Sequence, residues 1–214
     1  PTGNFGDVFA GYAASKMGLP VAKLIVATNV NDILHRALSS GDYSVGTVTP
    51  TAAPSMDIQV SSNFERLLFD LHGRDGAALA ETMHGFEASK KLAIPAAMRE
   101  EAAALFSSAR IDADEMGIAM RWAYERTAQV IDPHTAIGLA AARVSDLPAD
   151  VPLVTLATAH PAKFRDAVER AIGQRPAQPN RISTLFERTE RYDVLPATLA
   201  AVEDFIAARA QEMA

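Results

Sequence analysis

PTGNFGD, residues 1–7, is the stretch of this sequence that decides the fold, because it is glycine-rich and leads directly into a helical pattern. Gly3 and Gly6 have no side chains, so backbone N–H groups at these positions can approach an anion closely. The helix that we expect from Phe5 to Met17 adds its positive dipole end and its unpaired N–H donors. The stretch therefore predicts a phosphate cradle, and the alternative interpretation is a turn that is merely tight.

The kind of phosphate ligand is narrowed by what the loop does not contain. It has neither the lysine of a P-loop nor the GxGxxG pattern, which argues against nucleoside triphosphates and dinucleotides. A compact phosphate monoester fits better. Such loops normally follow a β-strand that delivers them to the edge of a sheet, and we expect that strand to come from sequence outside this chain.

The residues after the loop alternate between helical and strand patterns. Residues 21–27 (VAKLIVA) are apolar and β-branched, as in a strand buried in a parallel sheet, and Asn31 or Asp32 can cap the helix that follows. A second buried strand is predicted at residues 152–158 (PLVTLAT). This order predicts an α/β fold that is mainly helical with few parallel strands. Because two isolated strands cannot make a stable sheet, we expect further strands from upstream sequence.

Most other predicted elements are helices. Ser62-Asn63-Phe64-Glu65 fits a capping box, and Asp112 or Asp114, Asp132-Pro133 and Pro161 are further start signals. The predicted helices span about residues 33–38, 63–72, 77–87, 95–108, 115–129, 134–144, 161–173 and 196–212, with a short strand at 43–48.

The composition excludes several classes of function. The 214 residues include 20 Lys and Arg that are scattered along the chain, and the net charge is -6, so no basic stripe for nucleic acid is present. There is no cysteine, and the histidines lack metal-ligand spacing, so no metal site is proposed. No apolar run reaches the length of a membrane span, and we expect a cytoplasmic protein.

Five segments of the chain resemble the threonine synthase family, in the order in which the family has them. The resemblance is carried by PTGNFGD (1–7), AGYAASKMGLPVAKLIVATNVND (10–32), SMDIQVSSNFERLLF (55–69), DPHTAIG (132–138) and TAHPAKF (158–164). It extends over positions 1 to 164 and implies the C-terminal part of a family member.

The resemblance implies the fold type II architecture of pyridoxal-phosphate enzymes, similar to the tryptophan synthase β chain. It implies conversion of O-phospho-L-homoserine and water to L-threonine and phosphate, and residues 1–214 would be the C-terminal part of the large pyridoxal-phosphate-binding domain. The main-chain N–H groups of Gly3, Asn4, Phe5 and Gly6 would hold the cofactor phosphate. Thr158 would offer its hydroxyl to the pyridine nitrogen.

The lysine that carries the cofactor does not transfer to this chain. In the family it lies in an upstream segment resembling LAFKD, and no such segment occurs here. We expect the N-terminal domain and this segment to belong to the rest of the same protein. The chain by itself is therefore expected to be inactive, because the covalent step needs an amine held against the cofactor. The lysines present stand in other contexts: Lys16, Lys23, Lys90, Lys91 and Lys163.

Five residues are candidates for contacts with the substrate, and each has a structural alternative. Ser62, Asn63 and Arg66 stand at a predicted helix start with good anion geometry, although Ser62 could simply cap and Arg66 could pair with an acid. His134 follows a turn where sites form, but a structural hydrogen bond is the alternative role. Lys163 lies one turn into its helix, where lysines are commonly solvated.

Two other functions stay open at this point. One is a serine or threonine dehydratase of the same fold, which would deaminate hydroxyamino acids and ignore phosphohomoserine. The other is a non-catalytic module that binds a phosphorylated ligand and has no cofactor lysine. An LAFKD-like segment upstream would favour the synthase.

Overall fold

The computed structural model describes residues 1–212, and the chain divides into two compact units, Pro1–Ala177 and Gln178–Ala214. The first unit holds most of the secondary structure: α1 (Gly6–Lys16), β1 (Leu24–Thr28), α2 (Ile33–Ser39), α3 (Phe64–Leu71), α4 (Gly76–Ser89), α5 (Ala96–Ala103), β2 (Phe106–Arg110), α6 (Ala113–Thr127), α7 (Pro133–Arg143) and α8 (Arg165–Ile172). The second unit contains α9 (Leu199–Glu212). Short 3-10 turns lie at Pro54–Met56, Pro161–Phe164, Asn180–Ile182 and Leu185–Glu187.

A parallel pair of strands forms the centre of the first unit. β1 and β2 are in register from Leu24 opposite Phe106 to Thr28 opposite Arg110. Two apolar clusters cover the two faces of the pair. One is built on α1, α2 and α3, the other on α6, α7 and α8, and β1 supplies Val26 to the first and Ala27 to the second. This alternation follows from the two-residue period of a strand, and it gives an α/β/α layer arrangement.

Most predicted helices are confirmed with small shifts in their ends, but the helix expected at residues 95–108 ends at Ala103, and the one expected from Pro161 begins as a 3-10 turn before α8. Two start signals are confirmed in detail. Asp112 forms a full capping box with Glu115, and Asp132 accepts hydrogen bonds from the first N–H groups of α7. Pro133 occupies the first turn of α7, where its missing N–H costs nothing.

The second strand was predicted in the wrong place. Residues 152–158 form no strand, and three of their apolar side chains are open to solvent: Leu153 is 47% exposed, Val154 79% and Leu156 48%. The partner of β1 is instead Phe106–Arg110 (FSSAR), whose first three residues were expected to end a helix. That helix stops at Ala103. FSSAR has no apolar run of its own, so pairing with β1 rather than local pattern makes it a strand.

The short strand expected at residues 43–48 is also wrong. The structure has only an isolated antiparallel bridge between Asp42 and Ala93 in this region. Tyr43 is buried, and its hydroxyl accepts a hydrogen bond from the backbone N–H of Ser61 at 2.8 Å. Backbone hydrogen bonds from Tyr43 to Leu92 and from Val45 to Lys90, both at 2.9 Å, also tie this segment to residues 90–94, but they do not build a regular strand.

Candidate functional site

The glycine-rich loop adopts an unusual backbone conformation at Phe5. Phe5 has φ 60° and ψ 7°, in the left-handed region that bulky residues rarely occupy. Its side chain is fully buried, and its ring lies 5.3 Å from that of Phe64 and 5.8 Å from that of Phe106. These contacts hold the ring in place and offset the backbone strain, which is typical of functional loops.

The backbone donors of this loop are left without protein acceptors. Within residues 1–212, the N–H groups of Gly3, Asn4, Phe5 and Gly6 donate to no carbonyl, whereas the N–H of Thr2 donates to the carbonyl of Ala27 at 3.0 Å. A left-handed residue followed by a helical one turns successive N–H groups toward one side, which makes an anion-binding nest. The nest stands at the N-terminus of the 11-residue helix α1, so the helix dipole adds to it.

The structure requires glycine at one of the two loop positions and not at the other. A Cβ on Gly3 would lie 2.9 Å from Cα of Met56 and 3.1 Å from the carbonyl of Ser55, so the loop can rest on this turn only without a side chain. A Cβ on Gly6 would meet only Nδ2 of Asn63, at 3.6 Å. Packing therefore requires glycine at position 3, while Gly6 faces open space.

The start of α3 lies beside the loop and brings three predicted residues together with it. The carboxamide oxygen of Asn4 accepts hydrogen bonds from the backbone N–H of Ser62 at 2.7 Å and from its hydroxyl at 3.0 Å. The predicted capping box at Ser62 is therefore wrong, because the hydroxyl is bound to Asn4 and no side chain caps α3. Asn63 immediately precedes α3 and faces Gly6.

Arg66 extends this surface along α3. Its guanidinium lies 5.6 Å from the centre of the Phe9 ring on α1, and its side chain is exposed. No acidic side chain in residues 1–212 pairs with it, so the alternative role as half of a salt bridge is not observed. A positive group thus stands one turn into the helix whose first residues flank the nest.

His134 has a structural position. Its Nδ1 lies 2.8 Å from the carboxylate of Asp132, and its Nε2 accepts the backbone N–H of Ser55 at 3.2 Å, so these partners assign the proton to Nδ1. Both ring nitrogens are occupied by the protein, and the ring is buried. His134 therefore connects α7 to the turn beneath Gly3, and it has no free nitrogen for a substrate.

Asp132 is the charged group behind this connection. It is fully buried, which alone would raise the pKa of its carboxyl. Hydrogen bonds from His134 and Thr135 outweigh that penalty and hold the pKa below its ordinary value. The carboxylate stays ionised and fixes both the helix start and the histidine.

A polar network at the end of β1 was missed by the sequence analysis. One carboxylate oxygen of Asp57 accepts hydrogen bonds from Asn29 at 2.7 Å, Asn31 at 3.0 Å and the Thr51 hydroxyl at 2.7 Å. The other accepts the Thr51 N–H at 2.7 Å. The network supports the turn on which Gly3 rests. The available signal was the pair of asparagines directly after a buried strand, where sites form in α/β folds.

The remaining predicted residues are not brought to the loop by any described contact. Thr158 is exposed and outside any strand, contrary to its predicted place at a strand end. The ammonium of Lys163 lies 5.8 Å from the Phe164 ring. Asp7 lies in the first turn of α1 but does not cap it, because the residue before the helix is Phe5 and no side chain caps it.

Two classes of feature are absent from the described part of the chain. No group of three or more His, Cys, Asp and Glu is arranged to hold a metal ion. None of its helices has both the length and the apolar content that crossing a bilayer requires.

Comparison with known proteins gives a consistent picture. A family described as "Threonine synthase, C-terminal" matches residues 135–206. Threonine synthase from Pseudomonas aeruginosa is 54% identical over 207 residues, which are 96% of this chain and 44% of that protein. The threonine synthase of Corynebacterium glutamicum is 39% identical over 213 residues, with the same shares covered.

Solved structures agree with the sequence relatives. A PLP-bound threonine synthase from Brucella melitensis superposes with a TM-score of 0.88 at 47% identity, covering 96% of this chain and 44% of that one. The yeast threonine synthase gives 0.87 at 33% identity, covering 99% and 47%. The chain thus spans less than half the length of these relatives. In its sequence and its α/β fold the chain is similar to the C-terminal part of threonine synthases.

Proposed function

Because the chain matches the C-terminal part of threonine synthases in sequence and fold, we propose that it is part of such an enzyme. The whole protein would convert O-phospho-L-homoserine and water to L-threonine and phosphate with pyridoxal 5′-phosphate. The observation that carries the proposal is the row of unpaired N–H groups from Gly3 to Gly6 at the start of α1. A phosphate monoester dianion is the ligand that this row fits.

The residues present fit the phosphate end of the cofactor. The left-handed Phe5 and the close approach of Gly3 to the Ser55–Met56 turn shape the nest independently of any ligand. When bound, pyridoxal phosphate supplies an electron sink for carbanions at the substrate. The loop would fix the phosphate, and the hydroxyl of Thr158 would face the pyridine nitrogen in the assembled protein.

The substrate phosphate has a separate proposed position at α3. Ser62 and Asn63 lie next to the nest, and Arg66 provides a cation that no carboxylate in residues 1–212 neutralises. A guanidinium one turn into a helix, together with the amide donor of Asn63, suits a second phosphate group. Ser62 stays a proposed contact, although its hydroxyl donates to Asn4 and would have to leave this oxygen to reach a phosphate. Lys163 stays a proposed contact, whereas both ring nitrogens of His134 are used within the protein.

The cofactor lysine would lie in the part of the protein outside residues 1–214, together with the N-terminal domain. This division predicts that the chain alone neither forms a lysine adduct with the cofactor nor turns over substrate. A full-length chimera tests it, with the upstream part of the Pseudomonas aeruginosa enzyme joined to Pro1. The absorbance of bound cofactor and the release of phosphate from O-phospho-L-homoserine are measured for the chain and for the chimera.

The proposal requires turnover by the chimera and none by the chain. A folded, monodisperse chimera that binds pyridoxal phosphate but deaminates serine or threonine would instead identify a dehydratase. A folded chimera that does not take up the cofactor, under conditions where the Pseudomonas enzyme does, would contradict the assignment and favour a non-catalytic phospholigand module.

A further inference from the structure

The carboxylate of Asp57 is surrounded by hydrogen-bond donors. Its Oδ1 accepts from the carboxamides of Asn29 and Asn31 and from the hydroxyl of Thr51, and its Oδ2 accepts the N–H of Thr51. A carboxylate offers about four acceptor positions, and these bonds occupy them. In this arrangement Asp57 is therefore neither a base nor a direct contact for a ligand.

The donors around Asp57 come from two separate segments. Asn29 and Asn31 directly follow β1, whereas Thr51 lies in the segment that leads to the 3-10 turn Pro54–Met56. The N–H of Asp57 closes that turn by donating to the carbonyl of its first residue at 3.1 Å. Asp57 thus joins the end of the sheet to the turn.

This turn lies directly beneath the glycine loop. A Cβ on Gly3 would be 2.9 Å from Cα of Met56, so no side chain separates the loop from the turn. Because the two backbones are in close contact, a shift of the turn must move Gly3 and the N–H groups that follow it. None of the hydrogen bonds to the Asp57 carboxylate within residues 1–212 comes from residues 1–6. Asp57 therefore acts on the loop through the turn.

The turn has a second polar anchor, which comes from α7. The N–H of Ser55 donates to Nε2 of His134 at 3.2 Å, and the histidine is fixed in turn by Asp132. Side chains from the end of β1 and from α7 thus converge on a turn of three residues. Support of this kind holds a binding loop within a fraction of an ångström of its working position.

Only a carboxylate can accept from all the donors around position 57. In Asp57→Asn one oxygen becomes an NH₂ group, which donates and cannot accept. This group would face another donor, either the N–H of Thr51 or the carboxamides of Asn29 and Asn31. The side chain keeps its size, but the hydrogen bonds that hold the turn must rearrange.

We propose that Asp57 is a positioning residue for the cofactor phosphate. Its carboxylate fixes the turn beneath Gly3, and the turn orients the free N–H groups of the loop toward the phosphate. This inference rests on the proposed function, because it takes pyridoxal phosphate as the ligand of the loop. The effect is confined to the phosphate, since a row of N–H groups recognises an anion and not an aromatic ring.

The affinities of the full-length chimera for pyridoxal 5′-phosphate and for pyridoxal, which lacks the phosphate, test this role. The cofactor-free chimera is titrated with each compound, and the ratio of the two affinities is compared between variants. In Asp57→Asn the preference for the phosphorylated compound should fall about tenfold, the lower end of the loss when a partner that orients ion-binding groups is removed. Removing a negative charge would by itself strengthen anion binding, so the expected change has the opposite sign to a pure charge effect.

Asp112→Ala is the matched control. It also removes one negative charge and a set of hydrogen bonds, but at the exposed start of α6, and it should leave the ratio unchanged. Circular dichroism verifies that each variant is folded. If Asp57→Asn does not fold, Thr51→Val is measured instead, since it removes only the hydroxyl bonds to the same network. Its ratio should fall about threefold, as expected for a smaller disturbance.

The outcomes separate this inference from the proposed function. A chimera that turns over substrate, with an unchanged or higher ratio in Asp57→Asn (or an unchanged one in Thr51→Val), overturns the positioning role and leaves the enzyme. An equal fall in Asp112→Ala also counts against the role. A lower ratio in a chimera that binds the cofactor without turnover supports Asp57 and contradicts the synthase. A wild-type chimera that binds both compounds equally, or neither, overturns the phosphate loop and the role of Asp57 together.

Discussion

Asp112 and Asp132 both cap helices, but one side chain is exposed and the other is buried. Comparing the two therefore measures how much burial adds to the contribution of a helix cap to stability. Asp112 caps α6 with an exposed side chain that accepts from the N–H groups of Asp114 and Glu115, at 2.9 Å each. Asp132 caps α7 with a fully buried side chain that also accepts from the ring of His134. Replacing each by alanine removes one helix cap.

The two substitutions differ in what they leave behind. Asp112→Ala should cost about 1 kcal/mol of unfolding free energy, the usual value of an N-cap. Asp132→Ala loses the cap and also leaves the Nδ1–H of His134 buried without an acceptor, which adds roughly 1–3 kcal/mol. We therefore expect a loss of about 3 kcal/mol at Asp132. Urea unfolding of the chain at pH 7, followed by circular dichroism and Trp122 fluorescence, gives both values from the midpoint and slope.

The pH dependence provides a second measurement on the same pair. The pKa of the Asp132 carboxyl is lowered in the folded protein, so its stabilisation is fully present above the unfolded value of about 4 and is lost as the pH falls through the folded value. The gap between wild type and Asp132→Ala should narrow below about pH 4. Costs for the two aspartates that agree at pH 7 within about 0.5 kcal/mol would refute the argument that the buried histidine depends on Asp132.

Four further substitutions test the loop, the core and the substrate contact. In the full-length chimera, Gly3→Ala should weaken pyridoxal-phosphate binding at least tenfold, whereas Gly6→Ala should have a much smaller effect. The reason is that a Cβ collides with backbone atoms at position 3 and not at position 6. Cofactor titration measures both affinities, and equal effects would contradict the packing argument. Tyr43→Phe should lower the unfolding free energy by about 1–3 kcal/mol, because it leaves the buried N–H of Ser61 without an acceptor. Burial raises the pKa of Tyr43 to about 12, so the neutral side chain stabilises the fold up to about pH 10 and this stabilisation disappears toward pH 12. The unfolding free energy of Tyr43→Phe should therefore fall less between about pH 10 and about pH 12 than that of the wild type. Arg66→Ala should raise the KM of the chimera for O-phospho-L-homoserine about tenfold with little change in cofactor affinity, because one charge-assisted contact to phosphate is lost. An unchanged KM would show that Arg66 does not contact the substrate.

The sequence was most informative where local chemistry is sufficient. Asp112 and Asp132 were recognised as helix starts because capping depends on residues within one turn, and the structure confirms both. The loop at Gly3 was recognised because glycine spacing and a helix start are local properties of the sequence. Its left-handed Phe5 was not foreseen, since the aromatic rings that hold it come from distant parts of the chain.

In the candidate site, too, the features that the sequence missed depend on contacts between distant residues. The proximity of Ser62 to the loop follows from a hydrogen bond to Asn4 across 58 positions, and the local pattern assigned that hydroxyl to a cap instead. The role of His134 was decided by two partners, of which only Asp132 is near in sequence. The network around Asp57 joins residues up to 28 positions apart, so spacing could not reveal it.

By itself the sequence determined the layer architecture and the helix starts, and it predicted the first loop as a phosphate site, because each depends on periodicity or on groups within one turn. Only the tertiary structure decided which segment pairs with β1. An apolar run such as residues 152–158 becomes a strand only where a neighbour accepts its hydrogen bonds, and the weaker FSSAR at 106–110 has that neighbour in Leu24–Thr28. Strand formation is a contact between distant segments, whereas a helix satisfies its own backbone.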